Sequence, residues 1–245
     1  MKTYCISDVH GHLDNLYFFV KTLNEDDRVF VLGDAIDKGP MSLGCLQYIM
    51  ADTRFKMLLG NHEYMMFNLL NSKLGTREYN EAYEQWINWN VGEETLKQFI
   101  ALPHHEQLKI FNYIDNLPLN IPNVEVNGRK YYLVHSCPSS NLSYKMKDLE
   151  YNDKKICEYV WERVNPEDTF NIGEDVTVIA GHTMVQFYVG LDAKEISPVF
   201  DGKDIKKAKY IDIDGGLASQ LDNARLISLC LDDLSYKLVT VHTPN

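Results

Sequence analysis

The 245-residue sequence predicts an α/β fold in which two facing, mixed β-sheets are flanked by helices. Strand-like and helix-like patterns alternate through the first 60 residues, an order that builds parallel strands with right-handed crossovers. From about residue 64 to 116 strand-like runs are absent and apolar side chains fall at helical spacing. After Pro118 the strand signals return. This organisation reads as one domain over residues 1–245, with a helical cap inserted at about 64–116.

Each element has its own signal. Residues 3–7 read as the first strand, and Leu16, Phe19, Val20 and Leu23 form the apolar stripe of the helix after it. Residues 28–32 are an unbroken apolar run, as in a strand buried on both faces. Pro40 opens the next helix, where the missing N–H has no partner to lose, and Leu43, Leu46, Ile49 and Met50 follow. Residues 54–59 are the third strand. Within the cap, Met65, Met66, Leu69, Trp86, Trp89, Leu96, Phe99, Phe111 and Ile114 suit three or four helices. These side chains read as a small helical subcore in preference to a surface that stacks substrate. Asn127-Gly128 between Val124-Glu125-Val126 and Tyr131-Tyr132-Leu133-Val134 predicts a tight hairpin. Residues 153–163 read as a helix. Strands near 176–180, 210–213, 224–231 and 235–241 are expected to complete a second, largely antiparallel sheet.

Composition narrows the function. The net charge of −11 and pI near 5.1 argue against a broad basic surface for nucleic acid. An anionic ligand stays open, because bound divalent metals add positive charge locally. No run of about 18 apolar residues occurs, so no membrane partner is expected. The five cysteines are odd in number and form no CxxC pair, and Cys5, Cys45 and Cys230 sit in apolar stretches. With no signal peptide before the first strand, the expectation is a cytoplasmic monomer with reduced thiols.

Four motifs follow predicted strands: Asp8-Val9-His10-Gly11, Gly33 through Gly39, Gly60-Asn61-His62-Glu63 and Gly181-His182-Thr183. Asp8 and His10 stand two apart, so a strand would present them on one face. Alone, Asp8 or Asp34 reads as a turn or helix cap. His135 or His182 alone reads as a satisfied histidine at a strand end. Together they would gather carboxylate and imidazole ligands at one sheet edge, a set that suits one or two divalent cations. A metal pair sharing a carboxylate is a device for hydrolysing phosphate esters.

On these motifs the chain resembles the phosphoprotein phosphatase branch of the calcineurin-like metallophosphoesterases, in its small bacterial and phage form. The resemblance runs from Asp8 to about Asp214 and implies a four-layer sandwich. It implies that Asp8, His10 and Asp34 hold one metal, and that Asp34 bridges to a second held by Asn61, His135 and His182. Manganese suits these oxygen and imidazole ligands, as do iron and zinc. It further implies that a metal-bridging hydroxide attacks in line, that His62 protonates the leaving alkoxide, and that Asp37 orients His62. Phosphate contacts fall to Asn61, to Arg163 in Trp161-Glu162-Arg163, and to Lys38. The family has arginine at this last position; lysine keeps the charge and loses the planar fork. Ser7 stands where the family commonly has glycine. Met184 stands where many nucleases and nucleotidases carry a second histidine, which favours the phosphatase branch.

The implied substrate is a phosphorylated protein or small phosphoester, with serine/threonine phosphatase as the first reading. The chain is similar also to symmetrical diadenosine tetraphosphatases, through Gly39-Pro40 and the segment Asn90-Val91-Gly92-Glu93-Glu94-Thr95. A non-catalytic binding module is a third reading, but such a module should have lost ligands or the acid, and none is missing here.

Overall fold

The computed structural model describes residues 1–139, 144–149, 154–170, 172–173, 175–219 and 221–240. The first sheet contains β1 (Thr3–Ile6), β2 (Arg28–Val31) and β3 (Phe55–Met57), paired in parallel as β1-β2-β3. Helices α1 (Leu13–Val20) and α2 (Ser42–Ala51) make the two crossovers. The second sheet contains β4 (Asn120–Val126), β5 (Arg129–Val134), β6 (Val176–Ala180), β7 (Val199–Phe200) and β8 (Tyr210–Asp212), in the order β4-β5-β6-β8-β7.

The last two strands depart from expectation. β9 (Leu226–Cys230) and β10 (Tyr236–Val239) return to the first sheet, where β9 lies antiparallel beside β1. The second sheet is also mixed: β5, β6 and β8 run parallel, and only β4 and β7 at its edges run antiparallel. Burial explains both results. Every residue of β8 and β9 is buried, and such strands belong at interior positions of a covered sheet. β10, mostly exposed and carrying Lys237, takes an edge.

The two-residue period of the strands sorts their side chains between two layers of core. Cys5, Phe30, Leu133, Ile179, Ile211 and Leu229 belong to one buried cluster drawn from both sheets, which are therefore packed face to face. Their neighbours Ile6, Val31, Val134, Val178 and Tyr210 belong to the other cluster, with Leu16, Leu46, Ile156 and Tyr159 of the flanking helices. The observed order is helix, sheet, sheet, helix.

Between β3 and β4 stand α3 (Asn61–Asn71), α4 (Arg77–Tyr83), a π turn (Glu84–Asn88), α5 (Glu93–Ala101) and α6 (His104–Asp115). This helical segment starts earlier than residue 64, because the Gly60-Asn61-His62-Glu63 motif is itself the first turn of α3. Helix α2 starts at Ser42 and not at Pro40, since Met41 has a non-helical φ of −118° and ψ of 51° and acts as the N-cap, its carbonyl accepting from Cys45 N–H at 3.0 Å. Helix α7 (Lys154–Trp161), the short α8 (Gln186–Val189) and two 3-10 turns, Met146–Asp148 and Ile205–Lys207, complete the elements of the described residues. Position 153 of the expected helix and position 241 of the expected last strand lie outside the described residues.

The hairpin at Asn127-Gly128 forms as read, with Val126 opposite Arg129 and positive φ of 51° and 78° at the two turn residues. A Cβ on Gly128 would meet open space, so only its backbone conformation resists substitution. Gly128→Ala is expected to lower the unfolding free energy by about 1 kcal/mol, measured in urea.

Candidate active site

The parallel strands of both sheets deliver their C-terminal ends to one place. Asp8 follows β1, Asp34 follows β2, and Asn61 and His62 follow β3. His135 follows β5 and His182 follows β6. A cavity of about 270 Å³ opens there, lined by Asp8, His10, Asp34, Asn61, His62, His182, Lys38 and Arg163 among others.

Tight turns after the strands carry these side chains, and several require left-handed backbone. Asp8, His10, Asp34, Asp37, Lys38 and His182 have φ between 44° and 68°. Aspartate and histidine tolerate this region better than most residues with a Cβ, though at some cost. The turns are laced together: His10 N–H donates to Asp34 O at 2.9 Å, and Gly11 N–H donates to Ala35 O at 2.8 Å. Glu63 fastens them to α3. Its fully buried carboxylate accepts from the backbone N–H groups of Asp34 (2.9 Å), Ala35 (2.9 Å), Ile36 (3.3 Å) and Gly60 (3.2 Å).

The Asp34 carboxylate lies between two imidazoles. Its Oδ2 is 3.6 Å from His10 Nε2 and 3.6 Å from His135 Nε2. These gaps are too long for hydrogen bonds. They suit a shared cation, since two donors each about 2.1 Å from one metal are separated by up to about 4.2 Å. Asp34 Oδ1 accepts from His62 N–H at 3.0 Å, which turns Oδ2 toward the imidazoles. The other ring nitrogens are occupied: His10 Nδ1 donates to Ile36 O (3.0 Å) and His135 Nδ1 donates to Leu32 O (2.7 Å). A carbonyl can only accept, so each Nε2 is left with a lone pair facing the cluster. His182 is turned the other way, with Nε2 against Trp161 O at 3.2 Å. Among the described residues two groups of donors lie close enough to share an ion: His10, Asp34 and His62; and Asp34, His135 and His182. Asp8 Oδ1 is 3.7 Å from His10 Nε2, and Asn61 Oδ1 is 3.0 Å from His135 Nε2, so both predicted ligands border the same groups.

Burial sets the charges. It holds His10, His135 and His182 below the usual imidazole range, and neighbouring histidines add to the effect at His10 and His182. It raises Asp34, with Glu63 and Asp8 adding repulsion, and it raises Glu63, Asp212 and Asp214. Neutral imidazoles beside crowded buried carboxylates are a donor set that divalent cations fit.

His62 lies on the same cavity but differs from the other histidines. Its Nδ1 meets Asp37 Oδ2 at 2.5 Å, and its ring stands edge-on to His10 with centroids 4.8 Å apart. Asp37 is buried and also accepts from Trp86 Nε1 at 2.7 Å and from the Thr95 hydroxyl. Arg163 and Lys38 are exposed on the cavity wall. Arg163 Nη1 donates to Thr183 Oγ1 at 3.1 Å and to His182 O at 3.3 Å.

Sequence reasoning missed several neighbours. Glu63 was part of a quoted motif without a role, yet it holds the Asp34 turn. Ser7 donates to Asp8 Oδ2, a bond that glycine could not make. Asp214 lines the cavity after an apolar strand, the same signal that marked Asp34. Trp86 is fully buried, as a subcore residue should be, and is also bonded to Asp37. No local pattern announces that bond.

A calcineurin-like phosphoesterase family model matches residues 1–186, and the chain belongs to that family. A symmetrical bis(5'-nucleosyl)-tetraphosphatase of Yersinia pestis (strain Pestoides F) is 39% identical over 67 residues, covering 26% of this chain and 23% of that protein. The match thus spans about a quarter of that relative's length. A metallophosphoesterase from Sphaerobacter thermophilus superposes with a TM-score of 0.59 at 17% identity, over 99% of this chain and 89% of that one. A protein serine/threonine phosphatase from Saccharomyces cerevisiae gives a TM-score of 0.56 at 14% identity, over 100% and 82%. At these identities the two structures speak for the fold. Phosphoester hydrolysis with divalent metals is the work of the family, and the donor groups around Asp34 fit it.

The pKa directions define a pH test. Histidines lowered by burial leave the unfolded chain to take protons first, so their contribution to stability is lost as pH falls through about 6.5. Asp34, raised by burial, costs stability when ionised at neutral pH, and that cost fades in acid. Bound cations offset the ionised carboxylate and require the neutral imidazoles. Both terms make the stabilisation by metal larger at neutral pH. Chelation is expected to lower Tm more at about pH 7.5 than at about pH 5.5, measured by differential scanning calorimetry.

Proposed function

We propose that this protein is a two-metal phosphomonoesterase of the serine/threonine protein phosphatase type. The observation that carries the reading is the buried His62–Asp37 pair beside the Asp34 donor groups. An alkoxide leaving from a phosphorylated serine or threonine is strongly basic and needs a proton in the transition state. A nucleoside diphosphate is a far better leaving group and has less need of one. The cavity of about 270 Å³ also suits a phosphoryl group on a side chain better than two nucleosides.

In this reading Asp8, His10 and Asp34 hold one divalent cation, and Asp34, Asn61, His135 and His182 hold the other. Manganese is the proposed metal, with iron and zinc as the other candidates. When bound, the metals supply an activated water and neutralise phosphoryl charge. Asp34 is the shared ligand, kept in place by the His62 N–H. His62 presents its remaining nitrogen to the leaving oxygen while Asp37 holds the ring. Arg163 and Lys38, cationic and exposed at the cavity wall, orient the phosphate with help from Asn61. The domain reading belongs to the same proposal: one domain over residues 1–245, with the helical segment after β3 as its cap. So does a monomeric cytoplasmic enzyme without nucleic-acid or membrane partners. The absence of a disulfide among the five cysteines supports that setting, and no described helix is long and apolar enough to cross a membrane.

A second reading, symmetrical hydrolysis of diadenosine tetraphosphate, is favoured by the identity over 67 residues to the Yersinia pestis tetraphosphatase. Incubation of the metal-loaded protein with a phosphoserine peptide and with diadenosine tetraphosphate, with product analysis, separates the two. Phosphate release from the peptide is expected; exclusive formation of ADP from the dinucleotide would reverse the ranking.

His62→Asn is expected to keep its metal content. Its turnover of phosphoserine peptide should fall by about 10²–10⁴-fold, and that of p-nitrophenyl phosphate much less. Equal losses on the two substrates would remove His62 as the proton donor.

A further inference from the structure

The Asp37 carboxylate has all its strong contacts inside the protein, and the three side chains that grip it come from the helical segment between β3 and β4: His62 from the first turn of α3, Trp86 from the π turn and Thr95 from α5. Oδ2 accepts from His62 Nδ1 at 2.5 Å and from Trp86 Nε1 at 2.7 Å. Oδ1 accepts from the Thr95 hydroxyl. A hydroxyl has one proton, so the 2.6 Å contact between Ser42 and Thr95 must run from Ser42 to Thr95. Ser42 Oγ in turn accepts the Asp37 backbone N–H at 2.8 Å. Thr95, Ser42 and Asp37 thus close a ring, with Ser42 supplied by α2 and Thr95 by α5. Asp37, Ser42, Trp86 and Thr95 are each at most 1% exposed, so water does not compete.

The local backbone is arranged to bring Trp86 there. Trp86 sits in the π turn, where the Trp89 N–H reaches back five residues to Glu84 O at 3.1 Å. Such turns re-aim a side chain within a helix and recur at functional sites. Gly92 N–H donates to Trp86 O at 3.0 Å, and a Cβ on Gly92 would overlap the indole at Nε1. The indole is therefore held from behind by a residue with no side chain.

We propose that Trp86 and Thr95 are positioning residues: from the helical segment they fix the Asp37 carboxylate, and through it the ring of His62. This rests on the reading of His62 as proton donor. Carboxylates rotate easily about their last torsion. Three donors on two oxygens remove that freedom, and a proton donor must keep its geometry closely to act on a leaving group.

The test uses metal-loaded enzyme and the variants Trp86→Phe, Thr95→Val and Thr95→Ser. Turnover is measured on a phosphoserine peptide, whose leaving group needs a proton, and on p-nitrophenyl phosphate, whose leaving group does not. Trp86→Phe and Thr95→Val should each lower kcat on the peptide by about 10-fold or more, part of the full effect of a general acid. The loss on p-nitrophenyl phosphate should stay under about 3-fold, with KM and metal content unchanged. Thr95→Ser, which keeps the hydroxyl, should restore the peptide activity. In the His62→Asn background neither substitution should cost anything further, because the group they position is gone.

Equal losses on both substrates, lowered metal content, or additive losses with His62→Asn would show a merely structural role and overturn the proposal. Unchanged peptide turnover would overturn it too. His62→Asn tested alone reports separately on the donor reading: if it lowers both substrates equally, that reading has failed. If it is selective and the Trp86 and Thr95 variants are not, only the positioning proposal has failed.

Discussion

The site depends on one buried carboxylate that is not itself among the proposed metal ligands. Glu63 gathers the N–H groups of Asp34, Ala35, Ile36 and Gly60 onto its two oxygens. The first three belong to a turn whose backbone is left-handed at Asp34 and again at Asp37, and Gly60 is the N-cap of α3. A turn held in sparsely populated conformations opens unless something outweighs the strain, and a carboxylate accepting several N–H bonds in a dry setting can do so. An amide in its place would set its own donors against backbone donors. With the turn fixed, Asp34 meets the His62 N–H and faces both imidazoles, and Asp37 comes within reach of the His62 ring. Most of the remaining geometry follows from that clamp.

The acidic crowd around it has an electrostatic meaning. Asp8, Asp34, Glu63, Asp212 and Asp214 are all buried near the edges of the two sheets, and burial raises Asp34, Glu63, Asp212 and Asp214. Among the described side chains the nearby cations, Arg163 and Lys38, are exposed. Concentrated buried negative charge is expensive without compensation, and divalent ions supply it in the smallest space. The same ions make an acidic protein of net charge −11 able to attract a phosphate dianion.

The legible parts of the chain were those governed by local rules. Alternating apolar runs marked the strands, and Asn127-Gly128 marked its turn because positive φ is needed at both residues. Asp8, His10, Asp34, Asn61, His135 and His182 were legible because each follows an apolar run, and parallel strands put their ends on one edge. What was not legible depends on the far side of the fold. β9 enters the first sheet beside β1 because its all-apolar residues need cover on both faces, a competition between sheets that no window of sequence contains. The bond from Trp86 to Asp37 joins residues 49 positions apart and rests on a π turn that helical periodicity does not announce. Pro40 looks like a helix start and is not one, because Met41 after it has non-helical backbone and caps the helix.

The two sheets contribute unequally to the cluster: Asp8, His10, Asp34 and Asn61 come from one, and His135 and His182 from the other. In the proposed arrangement Asp8, His10 and Asp34 come from the first sheet alone, whereas the second ion, between Asp34 and Asn61 on one side and His135 and His182 on the other, would find its full set only after the two sheets have docked. Capture of that second ion would be a late event in maturation, one that rivets a seam already closed. Chain that is misassembled or still being synthesised offers the first trio at most, so a reaction that needs both ions would wait for the two sheets to meet.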